Sequence, residues 1–183
     1  MNPFHTLLIL AAAFLSVYLQ STFNGVRHLL GAQVDLLPSL MVYASLSSGN
    51  LTLTLLSVFG GLWLDSQSAN PLGITVLPLF FIGFLIQRYR GLILRDQKFA
   101  QLMLGLSASS GAPLFTLLLL LNTDKQPLVS WFSLWQWIVM SLLGAAATPL
   151  WFLFFDRVTH ALSYRPLQET SFRADRQIKR GRS

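Results

Sequence analysis

Chemistry needs acids, bases or nucleophiles held close together, and this chain supplies few of them. Its three histidines, His5, His28 and His160, fall in three separate terminal or loop regions with no metal-ligand spacing. Cysteine is absent, which removes thiolate catalysis, disulfides and iron–sulfur ligation. Serines are plentiful within apolar stretches, but no His or Lys stands at depth to act as their base. No phosphate loop, dinucleotide fingerprint, nucleophile elbow or zinc-peptidase motif occurs. These absences point to a non-enzymatic protein with no cofactor and no metal.

The elements that hold the remaining polar residues are apolar. The chain has 183 residues, 53% hydrophobic and only 11% charged, with a mean hydropathy of +0.55. A soluble domain carries about a quarter charged residues and leaves roughly a third of its unfolded surface wet, which this composition cannot supply. An ordinary soluble enzyme and a disordered chain are both excluded. The expected fold is all-α, a polytopic membrane bundle.

A crossing takes roughly 17–25 apolar residues. Residues 6–23, 99–121 and 133–155 each meet that length, and 72–87 does so with its flanks. The 29 residues between Asp35 and Asp65 carry no charge. As one helix they would reach about 44 Å, long for one crossing and short for two. Ser47-Ser48-Gly49-Asn50 in the middle is a turn signal, so two short spans, 34–46 and 51–64, are expected. The total is about six. Residues 1–155 then form the bundle and 156–183 a basic tail. The first span follows a start without Lys or Arg and without an evident cleavage site, and is expected to be retained.

Charge placement sets orientation. Arg88, Arg90, Arg95 and Lys98 follow the fourth span, and Arg157, Arg165, Arg173, Arg176, Lys179, Arg180 and Arg182 follow the last. Basic residues favour the cytoplasmic side. Six spans with both termini cytoplasmic leave only Arg27 and Lys125 of the 13 basic residues outside. Five spans would satisfy the same rule with the N-terminus outside; the Ser47–Asn50 turn decides for six.

The acids stand where they cost most. Asp65, after Gly60-Gly61-Leu62-Trp63-Leu64, lies at the C-terminal end of a predicted helix, where a carboxylate opposes the macrodipole by about 0.3–1 kcal/mol. It therefore needs an offsetting partner: an ion pair, a docked protein, or simply the interface that ends the span. Asp35, three residues before Pro38, suits a helix start, and both acids could share Arg27 on one external side. In Asn70-Pro71-Leu72-Gly73, Asn70 is expected to cap the fourth helix with Pro71 at its first position. Small-residue runs at 107–112 and 144–147 suit close helix packing, and Pro113 and Pro149 interrupt the fifth and sixth spans. In the tail, Arg173, Arg176, Lys179 and Arg180 make one basic face if helical, each contributing about 1 kcal/mol beside anionic lipid. So short a segment without an aromatic platform does not suit nucleic acid.

Asp35-Leu36-Leu37-Pro38 opening a short span with Tyr43, then Gly60-Gly61-Leu62-Trp63-Leu64-Asp65, then Pro71-Leu72-Gly73, together resemble the rod shape-determining protein MreD family of bacterial inner-membrane proteins. That family shows a similar Gly-x-x-x-Asp helix ending and a Leu-Gly step into the next span. The resemblance covers most of residues 6–156; the basic tail departs from it. It implies a small bundle related in fold to the substrate-binding components of energy-coupling vitamin transporters. It also implies a scaffold of the cell-elongation and lateral peptidoglycan machinery beside MreC, MreB and a wall glycosyltransferase–transpeptidase pair. Asp35, Pro38, Gly61, Asp65, Pro71 and Gly73 are the structural or partner-binding candidates, with Asp65, Pro71 and Gly73 matching the family motif directly.

A substrate-binding subunit of a vitamin or micronutrient transporter is the alternative. It shares size and span number, and the Ala145–Ala147 run could serve as a docking surface for a coupling subunit. It also needs convergent polar groups in the outer halves of the spans, and the sequence offers none.

Overall fold

The computed structural model describes residues 3–22, 31, 34–68, 70–92, 97–122 and 131–162. Among these are six α-helices: α1 (Pro3–Thr22), α2 (Leu37–Ser47), α3 (Asn50–Ser66), α4 (Val76–Arg88), α5 (Lys98–Leu121) and α6 (Trp131–Leu162). A 3-10 turn (Arg90–Leu92) follows α4, and no strand occurs among the described residues. The described fold is all-helical. Three helices, α1, α5 and α6, are long and apolar enough to cross a membrane, so this is a membrane protein.

The break at Ser48-Gly49 divides the uncharged stretch as the turn signal requires: α2 ends at Ser47 and α3 starts at Asn50. α2 itself is short. At 1.5 Å per residue its 11 residues reach about 16 Å, half of a ~30 Å hydrocarbon core. Its length is tolerated because every residue from Leu37 to Leu46 is buried. A helix apolar on all sides belongs inside protein, and α2 touches each of the other five helices. With protein on every face, it has no need to match a bilayer.

Aromatic rings and small residues fix the neighbours of α2. Tyr43 stacks on Phe155 of α6 at 4.2 Å between centroids and meets Phe152 edge-on at 5.0 Å. Such pairs add about 0.5–1.5 kcal/mol beyond the area they bury. The Trp151 indole N–H donates to Ser39 Oγ at 3.2 Å. On α4, Gly83 leaves room for Met41, whose Sδ would stand 2.8 Å from an added Cβ. The two small-residue runs meet each other: Gly105 packs against Thr148 and Ala145, and Gly144 against Ser109, bringing α5 and α6 close. Pro113 and Pro149 lie within those helices.

Two expected boundaries move. The fourth helix begins at Val76, not at residue 72, because a turn over residues 72–75 precedes it. The last helix runs on to Leu162, so the division expected between residues 155 and 156 falls inside α6. At about 48 Å, its 32 residues exceed the hydrocarbon thickness and carry Asp156 and Arg157 beyond it.

Candidate functional site

The motif Gly60-Gly61-Leu62-Trp63-Leu64-Asp65 and the turn after it build one junction between α3 and α4. Residues four apart share a helix face, so Gly61 and Asp65 look the same way, toward the start of α4. A Cβ on Gly61 would lie 2.9 Å from Val76 Cα and 3.0 Å from Val76 N, closer than real contacts allow. Glycine here lets the α3 backbone rest directly on the first turn of α4. One helical turn later Asp65 is buried, at 1% exposure. Its Oδ2 accepts from the backbone N–H of Gly73 at 2.8 Å and of Thr75 at 3.1 Å, and its Oδ1 accepts a short hydrogen bond from the Thr75 hydroxyl.

This arrangement answers the cost of an acid at a helix C-terminus. Asp65 closes α3 but also faces the N-terminal end of α4, where the N–H groups of Gly73 and Thr75 and the positive dipole end favour an acidic side chain. Among the described residues the offsetting partner is thus a helix start and its preceding turn. Arg27 lies outside the described residues. Asp65 was expected at the external surface, in an ion pair, docking a partner or simply ending the span; its buried oxygens accept hydrogen bonds from the start of α4.

The cap of α4 also differs from the expected one. Thr75, not Asn70, is the N-cap residue, and its hydroxyl and N–H both go to Asp65. Asn70 is exposed and gives its backbone N–H to Ser68 Oγ at 3.3 Å. The helix cannot start at Pro71 because Gly73 adopts φ +90°, a left-handed conformation that interrupts it. Nothing lies within 4 Å of an added Cβ at Gly73, so only backbone strain opposes substitution there. Gly73→Ala should therefore cost about 1–2 kcal/mol, read as a modest drop in the unfolding midpoint of purified protein without loss of the folded state.

Asp35 and Pro38 occupy a separate place. Asp35 Oδ1 accepts the backbone N–H of Leu37 at 3.0 Å, and Pro38 stands within the first two positions of α2. These satisfy a helix start, as the residue order suggested. Arg173, Arg176, Lys179 and Arg180 lie outside the described residues.

Thr75 and Leu72 were not singled out by sequence reasoning. Thr75 carried a signal, since a threonine directly before an apolar run is an N-cap signature. Leu72 carried none; the turn leaves it 71% exposed. Together, Gly61, Asp65, Gly73 and Thr75 lock the turn that carries Leu72. Among the described residues no group of three His, Cys, Asp or Glu residues could hold a metal ion. No family model, curated protein or solved structure matches the chain.

Proposed function

We propose that this chain is a non-enzymatic inner-membrane scaffold of the bacterial cell-elongation machinery, as its resemblance to the MreD family implies. In this reading six spans place both termini in the cytoplasm, in a bundle akin to the vitamin-binding transporter components. MreC docks on the bundle and on the external turn between α3 and α4, beside MreB and the wall glycosyltransferase–transpeptidase pair. The basic tail faces anionic lipid or the filament. The observation that carries the reading is the α3–α4 junction. Gly61, Asp65 and Gly73, drawn from the residues that make the resemblance, are parts of one device that fixes an exposed apolar side chain, Leu72, at the bundle end. An apolar side chain presented on a turn of fixed backbone suits a docking contact, because little backbone ordering entropy is lost on binding.

The transporter-subunit reading is less well served. Of the run expected to dock a coupling subunit, Ala145 packs against Gly105 of α5 and Ala147 is buried, which leaves only Ala146 exposed. The polar cavity described below lies at the end opposite the α3–α4 turn, whereas that reading requires an outward-facing pocket.

The test is recovery of partners from native membranes through a C-terminal tag, comparing wild type with Leu72→Asp at equal membrane level. The expected result is recovery of MreC and the wall synthases by wild type. Leu72→Asp, whose charge cannot enter an apolar contact, should reduce MreC recovery on the order of tenfold. Recovery of an ATPase pair with a transmembrane coupling subunit would replace the scaffold reading with vitamin uptake.

A further inference from the structure

At the opposite end of the bundle from the α3–α4 turn, five parts of the chain line an open polar cavity of about 530 Å³. Its wall includes His5 and Thr6 from α1, Tyr43 and the Ser47–Gly49 corner from α2, and Thr52 from α3. Arg90 from the 3-10 turn and Asp156 and Thr159 from α6 complete it. The size falls within the range of about 300–1,000 Å³ typical of small-ligand pockets. A bundle built for packing alone would fill this space with apolar side chains, as it does around α2.

The wall is organised. His5 Nε2 lies 3.1 Å from the Tyr43 hydroxyl, and its Nδ1 3.4 Å from Ser48 Oγ. The Thr6 and Thr52 hydroxyls pair at 2.9 Å, and Gln87 Nε2 donates to the Ser48 carbonyl at 3.3 Å. Those bonds fix the floor. The hydroxyl of Ser47, also on the wall, has no hydrogen-bond partner among the described residues. The two charges stand apart from this network: among the described residues no ion pair joins Arg90 to Asp156, though both line the same space.

One guanidinium and one carboxylate on a hydroxyl-lined cavity set the ligand's charge. A simple anion meets Arg90 but is opposed by Asp156, and a simple cation has the reverse difficulty; a zwitterion satisfies both. The rim says where it comes from. Phe4, next to His5, is 58% exposed, and Leu51, next to Thr52, is 60% exposed. Exposed apolar side chains one residue along α1 and α3 from the cavity wall suit a molecule with acyl chains, which would lie along those helices while its head enters the cavity.

We propose that this cavity binds the phosphoethanolamine headgroup of a membrane phospholipid. Arg90 and the hydroxyl groups take the phosphate, and Asp156 takes the ammonium. The proposal stands independently of the elongation reading, because it uses no residue of the α3–α4 junction.

The test is native mass spectrometry of the full chain released from detergent after exchange into equal phosphatidylethanolamine and phosphatidylglycerol. Wild type is compared with Arg90→Gln, Asp156→Asn and, as a control at the other end, Ser66→Ala. All three positions are exposed, so the variants should fold. Wild type and Ser66→Ala should retain phosphatidylethanolamine over phosphatidylglycerol on the order of tenfold. Arg90→Gln should lose retention of both lipids, because both carry phosphate. Asp156→Asn should lose the preference while still retaining lipid. Equal retention of the two lipids by wild type, or a preference that survives Asp156→Asn, would overturn the headgroup assignment. A parallel arm adds soluble phosphoethanolamine: binding there without lipid retention would uphold the headgroup site and overturn its lipid source.

Discussion

Asp65→Ala should lower the unfolding free energy of the purified protein by about 3–5 kcal/mol, one of the largest single-residue effects available in this chain. The substitution removes the acceptor for the Gly73 N–H, the Thr75 N–H and the Thr75 hydroxyl at once. Asp65 and Thr75 are both buried, so water cannot fully replace what is lost. Asp65→Asn provides the discriminating comparison. Its remaining oxygen can accept the two backbone N–H groups, and its amide can donate to the threonine hydroxyl. The order of stability should therefore be wild type, Asp65→Asn, then Asp65→Ala, read from chemical or thermal unfolding in one detergent. If Asp65→Ala unfolds with the wild-type midpoint, the cap contributes nothing and the junction has been misassigned.

Gly61→Val should be comparably severe, by about 3 kcal/mol or more, for a steric reason. Even a single added carbon would sit 2.9 Å from the Val76 Cα, and that neighbour is backbone, which cannot rotate away. α3 and α4 must separate, and separation draws Asp65 out of reach of residues 73 and 75. The two substitutions thus damage the same contact by different routes. Their effects should fall well short of additive in the double variant, whereas independent sites would add within about 0.5 kcal/mol. Gly111→Ala is the control: the nearest atom to its added Cβ is Ile82 Cδ1 at 3.7 Å, an ordinary contact, and its stability should match wild type or exceed it slightly. A fully additive Gly61→Val and Asp65→Ala pair would mean that close approach and capping are separate features.

If the elongation reading is right, these variants also separate folding from docking. Asp65→Ala and Gly61→Val weaken the support of the turn, whereas Leu72→Asp alters the surface that the turn presents. Loss of partner recovery in Leu72→Asp with unchanged unfolding would place the contact on the turn itself. Loss only in variants that have also lost stability would point to another face of the bundle.

The helices themselves were legible in the residues. Lengths of uncharged apolar sequence predicted α1, α5 and α6, and a serine–glycine–asparagine cluster predicted the break between α2 and α3, because these are local properties of chain composition and backbone preference. The four-residue spacing of Gly61 and Asp65 likewise guarantees a shared helix face. What that face meets is not local. The donors to Asp65 lie 8 and 10 residues further on, and reach it only because the chain reverses at Gly73. Local capping rules accordingly left both Asn70 and Thr75 as candidates, and the tertiary contact with Asp65 selected Thr75. The central position of α2 was hidden for a similar reason: a run apolar on every side shows burial but not by which helices. The cavity is the extreme case. His5, Tyr43, Arg90 and Asp156 lie on four different elements, and no spacing in the sequence ties them to one another. Composition and spacing by themselves determined a membrane helical bundle and where its chain turns; packing alone decided which polar groups meet, since that depends on the mutual placement of helices far apart in the chain.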